Sequence, residues 1–150
     1  MKNLDVMIRP FDAASDTKKL SRIWLDASLD AHSFIGKRRL LEQRRLIEEQ
    51  YLPNSETWVA VRLGEPVGFI SLLESFIGGI FVAPGQQGQG VGRKLIAHAL
   101  EKKGKLSLEV YLQNRRAVRF YEGLGFVEVS RRANDDEGLP FENAHLQLAR

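Results

Sequence analysis

The chain contains no cysteine in its 150 residues. That absence excludes thiolate nucleophiles, cysteine-based zinc sites and a disulfide framework. Long hydrophobic runs are missing as well. The longest apolar stretches span about six to eight residues and are broken by glycine or charge, against the roughly 20 a helix needs to cross a bilayer. The opening residues MKNLDVMIRPFDAAS lack the apolar core of a signal peptide, so a cytoplasmic protein with no membrane partner is expected. Charge of one sign is scarce: 22 Lys and Arg stand against 19 Asp and Glu. Arg38, Arg39, Arg44 and Arg45 alternate with acids, so no dense basic stripe signals nucleic acid, and none is expected as a partner. The three histidines, His32, His98 and His145, share no metal-ligand spacing, and no metal is expected. Repeats, low-complexity tracts and long linkers are also lacking, so residues 1–150 read as a single domain.

What is present suffices for one core. A domain of this size removes roughly 68–70% of its unfolded surface from water on folding. Val6 to Arg9 reads as a strand. Ser15 or Asp16 is positioned to cap a helix with Leu20, Ile23, Trp24 and Ala27 on one face. From Lys37 to about Tyr51, Leu40, Leu41, Ile47 and Tyr51 form the buried stripe of a second helix, broken by Pro53, Asn54 and Ser55. Strands follow at Thr57 to Arg62, Val67 to Leu73 and Ile77 to Val82, the last reading as a central strand covered on both faces. A helix from Val91 to about Lys103 ends at Gly104. A strand from Leu106 to Val110, a short helix opened by Asn114, and strands Phe126 to Arg131 and Ala144 to Leu148 complete the order βααβββαβαββ. The fold class is α/β (α+β) with a mixed central sheet.

The net charge of +3 lies wholly in residues 76–150, which hold 11 basic and 8 acidic side chains. That half carries the segment FVAPGQQGQGVGRKL, with Gly85, Gly88, Gly90 and Gly92 between a strand and a helix start. Glycine lets the backbone approach a ligand and turn consecutive N–H groups inward, and the free N–H groups of a helix start favour an anion. A pyrophosphate is the species this arrangement suits, and a bare surface turn is the alternative. The triphosphate loop GxxxxGK[ST] is not matched, because Arg93, Lys94 and Leu95 follow Gly92. Neither is the dinucleotide pattern GxGxxG.

Gln87 to Gly92, QGQGVG, fits the (Q/R)xxGxG signature of the GNAT superfamily of acetyl-CoA-dependent N-acetyltransferases. The segment NRRAVRFYEGLGF, Asn114 to Phe126, begins 22 residues after Gly92 and resembles that superfamily's second motif. The similarity extends over essentially the whole chain. HSFI and DDEGLPF resemble small bacterial acetyltransferases, some of which modify protein lysines.

The resemblance implies a split between the fourth and fifth strands that receives acetyl-CoA. The pyrophosphate would rest on the backbone of Gly88, Gln89, Gly90, Val91, Gly92 and Arg93, with Gln87 bracing the loop. The pantetheine arm would pair with the backbone of Phe81 and Val82, near which Gly78 and Gly79 leave room, and Asn114 would touch the arm while capping its helix. Lys94, Arg115, Arg116 or Arg119 would meet the adenosine 3′-phosphate. A backbone N–H near Val82 would polarise the thioester carbonyl, and Tyr121 would protonate the departing thiolate.

The glutamate that some relatives use as base has no counterpart, Phe76 standing in its place. Glu74, Glu109 and His32 are the candidates, beside an ordered-water relay. Alternation sets Ser107, Glu109 and Tyr111 on the face opposite Leu106, Leu108 and Val110. His32, Phe34, Glu109 and Tyr111 are therefore expected to line the amine pocket, with acceptor choice in residues 32–37 and 134–141. The function implied is acetyl transfer to a primary amine of a protein lysine, an N-terminus or a small molecule. Direct attack is expected, since no cysteine can carry the acyl group. The alternative is a non-catalytic acyl-CoA-binding or sensing module. Either a monomer or a homodimer fits.

Overall fold

A computed structural model describes residues 6–31 and 33–150. Seven strands form one sheet in the order β1-β2-β3-β4-β5-β7-β6. They are β1 (Met7–Pro10), β2 (Glu56–Arg62), β3 (Glu65–Leu73), β4 (Phe76–Val82), β5 (Lys105–Tyr111), β6 (Val127–Arg132) and β7 (Asn143–Ala149). Every pairing is antiparallel except β4 with β5. The helices are α1 (Ala13–Ala31), α2 (Lys37–Leu46), α3 (Leu52–Asn54), α4 (Val91–Lys103) and α5 (Arg115–Gly123). The order of strands and principal helices is the expected one, with short helical turns added at Ser33–Ile35 and Pro84–Gln86.

Two cores lie on opposite faces of the sheet. Ile70, Leu95, Ala99, Leu106, Leu108 and Leu146 pack beneath α4 and α5. Leu20, Trp24, Leu40, Leu52, Val59 and Phe69 pack beneath α1 and α2. Each such side chain, fully withdrawn from water, contributes about 1.5–3 kcal/mol. Along β5 the alternation is strict: Leu106, Leu108 and Val110 are buried, while Glu109 is exposed.

Several local expectations need correction. α1 begins at Ala13, so neither Ser15 nor Asp16 caps it; Asp12 stands before the first turn, and its carboxylate accepts the Ser15 hydroxyl at 2.8 Å. Asp16 instead lies within the helix, 1% exposed, accepting both Nη groups of Arg9 at 2.7 and 2.8 Å and the Asp12 N–H at 2.8 Å. A buried carboxylate requires such partners. Leu41 is 45% exposed rather than part of the buried stripe. The second helix does not stop at Pro53 but passes through a π-helical turn at Ile47–Tyr51 into α3, where Pro53 occupies the first turn and needs no N–H partner.

β4 departs from the expected fully covered strand: from Gly78 onward it is partly or wholly exposed. The cause is its pairing. β4 meets β5 only at Phe76↔Ser107 and Ile77↔Leu108. On its other edge the register against β3 slips, Leu72 facing Ile77 and Ser71 facing Gly79, which leaves Gly78 as a bulge. Beyond that bulge the two strands separate, and the sheet is split between them.

Candidate active site

The glycine-rich loop sits at the end of β4 and opens α4. Gly90, the residue preceding that helix, has φ of +87°, a left-handed conformation costly for other residues, and Gly88 has +78°. No protein atom lies within 4 Å of where a side chain would begin at either position, so the loop backbone is uncovered. No side chain caps α4, whose first N–H groups are left for another partner. An anion is the chemical complement of this arrangement.

Side chains hold the loop from beneath. Gln87 donates from Nε2 to the Val82 carbonyl at 3.1 Å and accepts from Arg116 at 2.6 Å. Arg62 donates to Gln86 at 2.8 Å and to Gln89. Arg116 is therefore engaged with the loop and lies 3.8 Å from Asp30. Lys94, Arg115 and Arg119 are exposed.

α5 closes the same side. Asn114 caps it, its Oδ1 accepting the Ala117 N–H at 3.3 Å. Tyr121 is 9% exposed, with ring centroids 5.3 Å from Phe120 and 5.5 Å from Phe126. Burial raises its hydroxyl above the ordinary tyrosine value, so the phenol is protonated throughout the neutral range.

A second concavity of about 410 Å³ opens where β4 and β5 part. Its lining includes Tyr51, Phe76, Gly78, Glu109, Tyr111 and Asp135, with Arg132, Asp136 and Glu137 at the mouth. Four carboxylates against one guanidinium make it acidic. Glu109 accepts from Arg132 at 3.0 Å, and Arg132 also donates to Asp136 at 2.9 Å. The Tyr111 hydroxyl donates to Asp135 at 3.1 Å; burial, and then the neighbouring carboxylates, raise its pKa above the ordinary tyrosine value. Asp135 accepts the backbone N–H groups of Glu137 and Leu139 at 3.0 and 2.9 Å, shaping the loop between β6 and β7. Arg39 and Gln43 of α2 reach across to Glu137, the Gln43 bond measuring 2.8 Å.

Among the residues picked out from the sequence, Glu109 and Tyr111 come together in this cavity. Phe34 packs behind it rather than lining it, edge-on to Tyr111 at 5.4 Å and to Phe141 at 5.1 Å. His32 lies outside the described residues. Glu74 sits exposed in the β3–β4 turn with φ of +56°, beside the lining residue Leu73 but not itself part of the lining. The expected room beside Gly78 is filled: a methyl group there would fall 1.3 Å from the Tyr51 hydroxyl oxygen, and one on Gly79 would meet the Phe81 ring at 2.7 Å. Tyr51 and Arg132 are lining residues that the sequence did not single out, while Asp136 and Glu137 lie within residues 134–141, the segment expected to govern acceptor choice. The one available signal for Tyr51 was the Gly78–Gly79 pair, since glycine within a strand marks a bulge or a close approach. Among the described residues no cluster of His, Asp and Glu suits a metal ion, and no helix is long and apolar enough to cross a membrane.

Residues 53–128 match the family model of the acetyltransferase (GNAT) domain. The peptidyl-lysine N-acetyltransferase YjaB of Salmonella typhimurium is 36% identical over 130 residues, 86% of this chain and 89% of the relative. The peptidyl-lysine N-acetyltransferase YiaC of Escherichia coli is 32% identical over 127 residues, 84% of this chain and 87% of the relative. In fold, the solution structure of apo-form YjaB from Escherichia coli superposes with a TM-score of 0.87 at 32% identity, over 96% of this chain and 97% of that one. The PaiA N-acetyltransferase of Thermoplasma acidophilum, solved in complex with coenzyme A, shares the fold with a TM-score of 0.80 at 17% identity, over 98% and 100% of the two chains. The protein is an N-acetyltransferase by class. It belongs to the GNAT family.

Proposed function

We propose that this enzyme takes the acetyl group from acetyl-CoA and passes it to a primary amine, foremost a lysine ε-amine of a protein, by direct attack in a ternary complex. The observation that carries this reading is the acidic cavity at the point where β4 and β5 part, lined by the first residues of β4, with the glycine loop beyond that strand's other end. An acidic recess attracts a cationic amine. The names of the relatives, peptidyl-lysine N-acetyltransferases, support the acceptor class.

Acetyl-CoA would supply an activated acyl carbon. The backbone of Gly88 to Arg93 would receive its pyrophosphate, and the edge of β4 at Phe81 and Val82, unpaired with β5, would hydrogen-bond its arm as an added strand would. A backbone N–H near Val82 would polarise the carbonyl. As the amine nitrogen bonds to the acyl carbon, the carbon–sulfur bond breaks and the Tyr121 hydroxyl gives its proton to the thiolate. The amine's surplus proton leaves through Glu109, His32 or water. Because burial makes the Tyr121 phenolate costly, proton donation is coupled to loss of the thiolate rather than preceding it.

The test is release of CoA thiol from acetyl-CoA by three acceptor sets: N-terminally blocked lysine peptides, lysine-blocked peptides with a free N-terminus, and small polyamines. The first set is expected to give the highest kcat/KM. Tyr121→Phe should then keep acetyl-CoA affinity and lower kcat about 100-fold, the scale of a positioned proton donor. No thiol release with any set overturns the reading, and an unchanged kcat in the variant removes Tyr121 from the mechanism.

A further inference from the structure

Three irregularities meet at one atom of this structure. α2 passes into a π-helical turn over Ile47–Tyr51, a distortion that is rare and frequent at functional sites. That turn delivers the Tyr51 side chain to the β4 bulge, where only a glycine leaves space for it: a methyl group on Gly78 would overlap the hydroxyl at 1.3 Å. The hydroxyl oxygen so placed is buried and has no hydrogen-bond partner among the described residues. Buried hydroxyls are normally satisfied, and one that is not calls for a reason in function or in a bound species. Tyr51 also lines the acidic cavity with Glu109 and Tyr111, at the apex where β4 leaves β5.

A packing role does not explain the oxygen. Phenylalanine would fill the same ring volume without burying an unpaired polar atom. Nor is the hydroxyl suited to ionise, because burial raises it above the ordinary tyrosine value. A neutral phenol retains two uses: it accepts one hydrogen bond from an N–H and donates its own O–H to an acceptor. In a cavity shaped for an amine, the first use orients the nitrogen lone pair.

We propose that the Tyr51 hydroxyl is an acceptor-orienting contact, receiving a hydrogen bond from the attacking amine where β4 and β5 separate. This rests on the reading of the enzyme as an amine acetyltransferase. Its strained setting is then the condition for reaching the nitrogen from beneath, while Glu109 and the acids of the β6–β7 loop attract the charged form from the mouth. Such alignment acts on the probability of productive attack, and a small displacement is felt strongly in the rate.

The experiment uses the full chain with Tyr51→Phe, acetyl-CoA, and the best acceptor peptide found for the unaltered enzyme. We expect kcat/KM for the amine to fall at least tenfold while KM for acetyl-CoA stays within twofold. Tm should hold or rise, because the variant removes a polar atom that has no partner. A purely structural tyrosine would instead lower Tm and disturb both substrates together, and that result overturns the proposal. So does an amine kcat/KM within threefold of the unaltered enzyme at unchanged Tm. Gly78→Ala supplies the second arm: by displacing the hydroxyl it should reproduce the loss for the amine, and adding Tyr51→Phe to it should cost little more. Fully additive losses overturn the proposal. If the unaltered enzyme acetylates no amine, the functional reading has failed before Tyr51 is tested, and the proposal falls with it.

Discussion

Gly88 to Arg93, after β4, and Asp135 to Glu137, at the cavity beside its first residues, would each meet a charged partner in the proposed reaction, but by different means. The first segment presents backbone in left-handed turns and at a helix start, open at Gly88 and Gly90 and with no side-chain cap on the helix. The second presents carboxylates, each fastened by groups from elsewhere in the chain: Tyr111 holds Asp135, Arg132 holds Asp136, and Arg39 and Gln43 hold Glu137. A backbone site is insensitive to most side-chain changes and suits a ligand that never varies. A side-chain site is adjusted by single substitutions and suits a partner that differs from one relative to the next.

This contrast predicts unequal responses to change. The greatest effect should come from Gly90→Glu, which forces a side chain into a left-handed position and sets a negative charge before the phosphates. Acetyl-CoA affinity should fall at least about 100-fold, near 2.7 kcal/mol, measured by calorimetry. Wild-type affinity in that variant would dissolve the distinction between the two sides. A smaller effect is expected from Asp136→Asn at the cavity mouth. KM for a lysine peptide should rise about two- to fivefold at low ionic strength, the yield of an exposed charge, and the difference should vanish in high salt. KM for acetyl-CoA should not move. A salt-independent change would mean that Asp136 acts through shape instead of charge.

The least kinetic effect belongs to a residue of neither side. Asp16 ties β1 to α1 through Arg9, whose guanidinium holds the Asp16 carboxyl below its ordinary value. A group lowered in this way stabilises the fold above its unfolded pKa of about 3.9 and loses that contribution as pH falls through the folded value. Asp16→Asn should therefore cost about 1–3 kcal/mol at neutral pH, moderated by solvent on the Arg9 side, and lower Tm by roughly 2–4 °C per kcal/mol. The gap from wild type should close below about pH 4, with kinetic constants at 25 °C unchanged. Thermal melts across pH 3 to 7 check both the size and the sign.

The same contrast explains what could be read from the sequence. Left-handed turns require glycine, so QGQGVG was visible, as were Asn114 before α5 and Gly104 after α4, because local conformation demands them within a few residues. The alternation of β5 set Glu109 and Tyr111 on one face without reference to any other segment. The acidic cavity had only a coarse mark, the segment 134–141 expected to govern acceptor choice. Tyr51 looked like part of a buried helical stripe, and only the π-helical turn and the β4 bulge, both products of tertiary packing, bring it to the split. Arg132, Asp136 and Glu137 are common surface residue types whose pairing with Glu109 and α2 depends on how the β6–β7 loop folds back. Phe34, expected in the amine pocket, packs edge-on to Tyr111 and Phe141 and is not itself among the residues lining the acidic cavity, a matter of ring packing that no spacing encodes.

The extra residue at Gly78 acts on β4 as an inserted letter acts on a line of text read in pairs. Ile77 before it and Ile80 and Val82 after it all reach the core under α4, although their spacing would otherwise send Ile77 and Ile80 to opposite faces. Phe81 alone turns to the core under α1. Deleting this single glycine would return β4 to a regular ladder, with Ile77 and Ile80 two residues apart on one face and the downstream half keeping its sides; what would be lost is the local bend and the seat of the Tyr51 hydroxyl. The bulge thus aims the strand and seats a side chain without deciding which residues of β4 face either core.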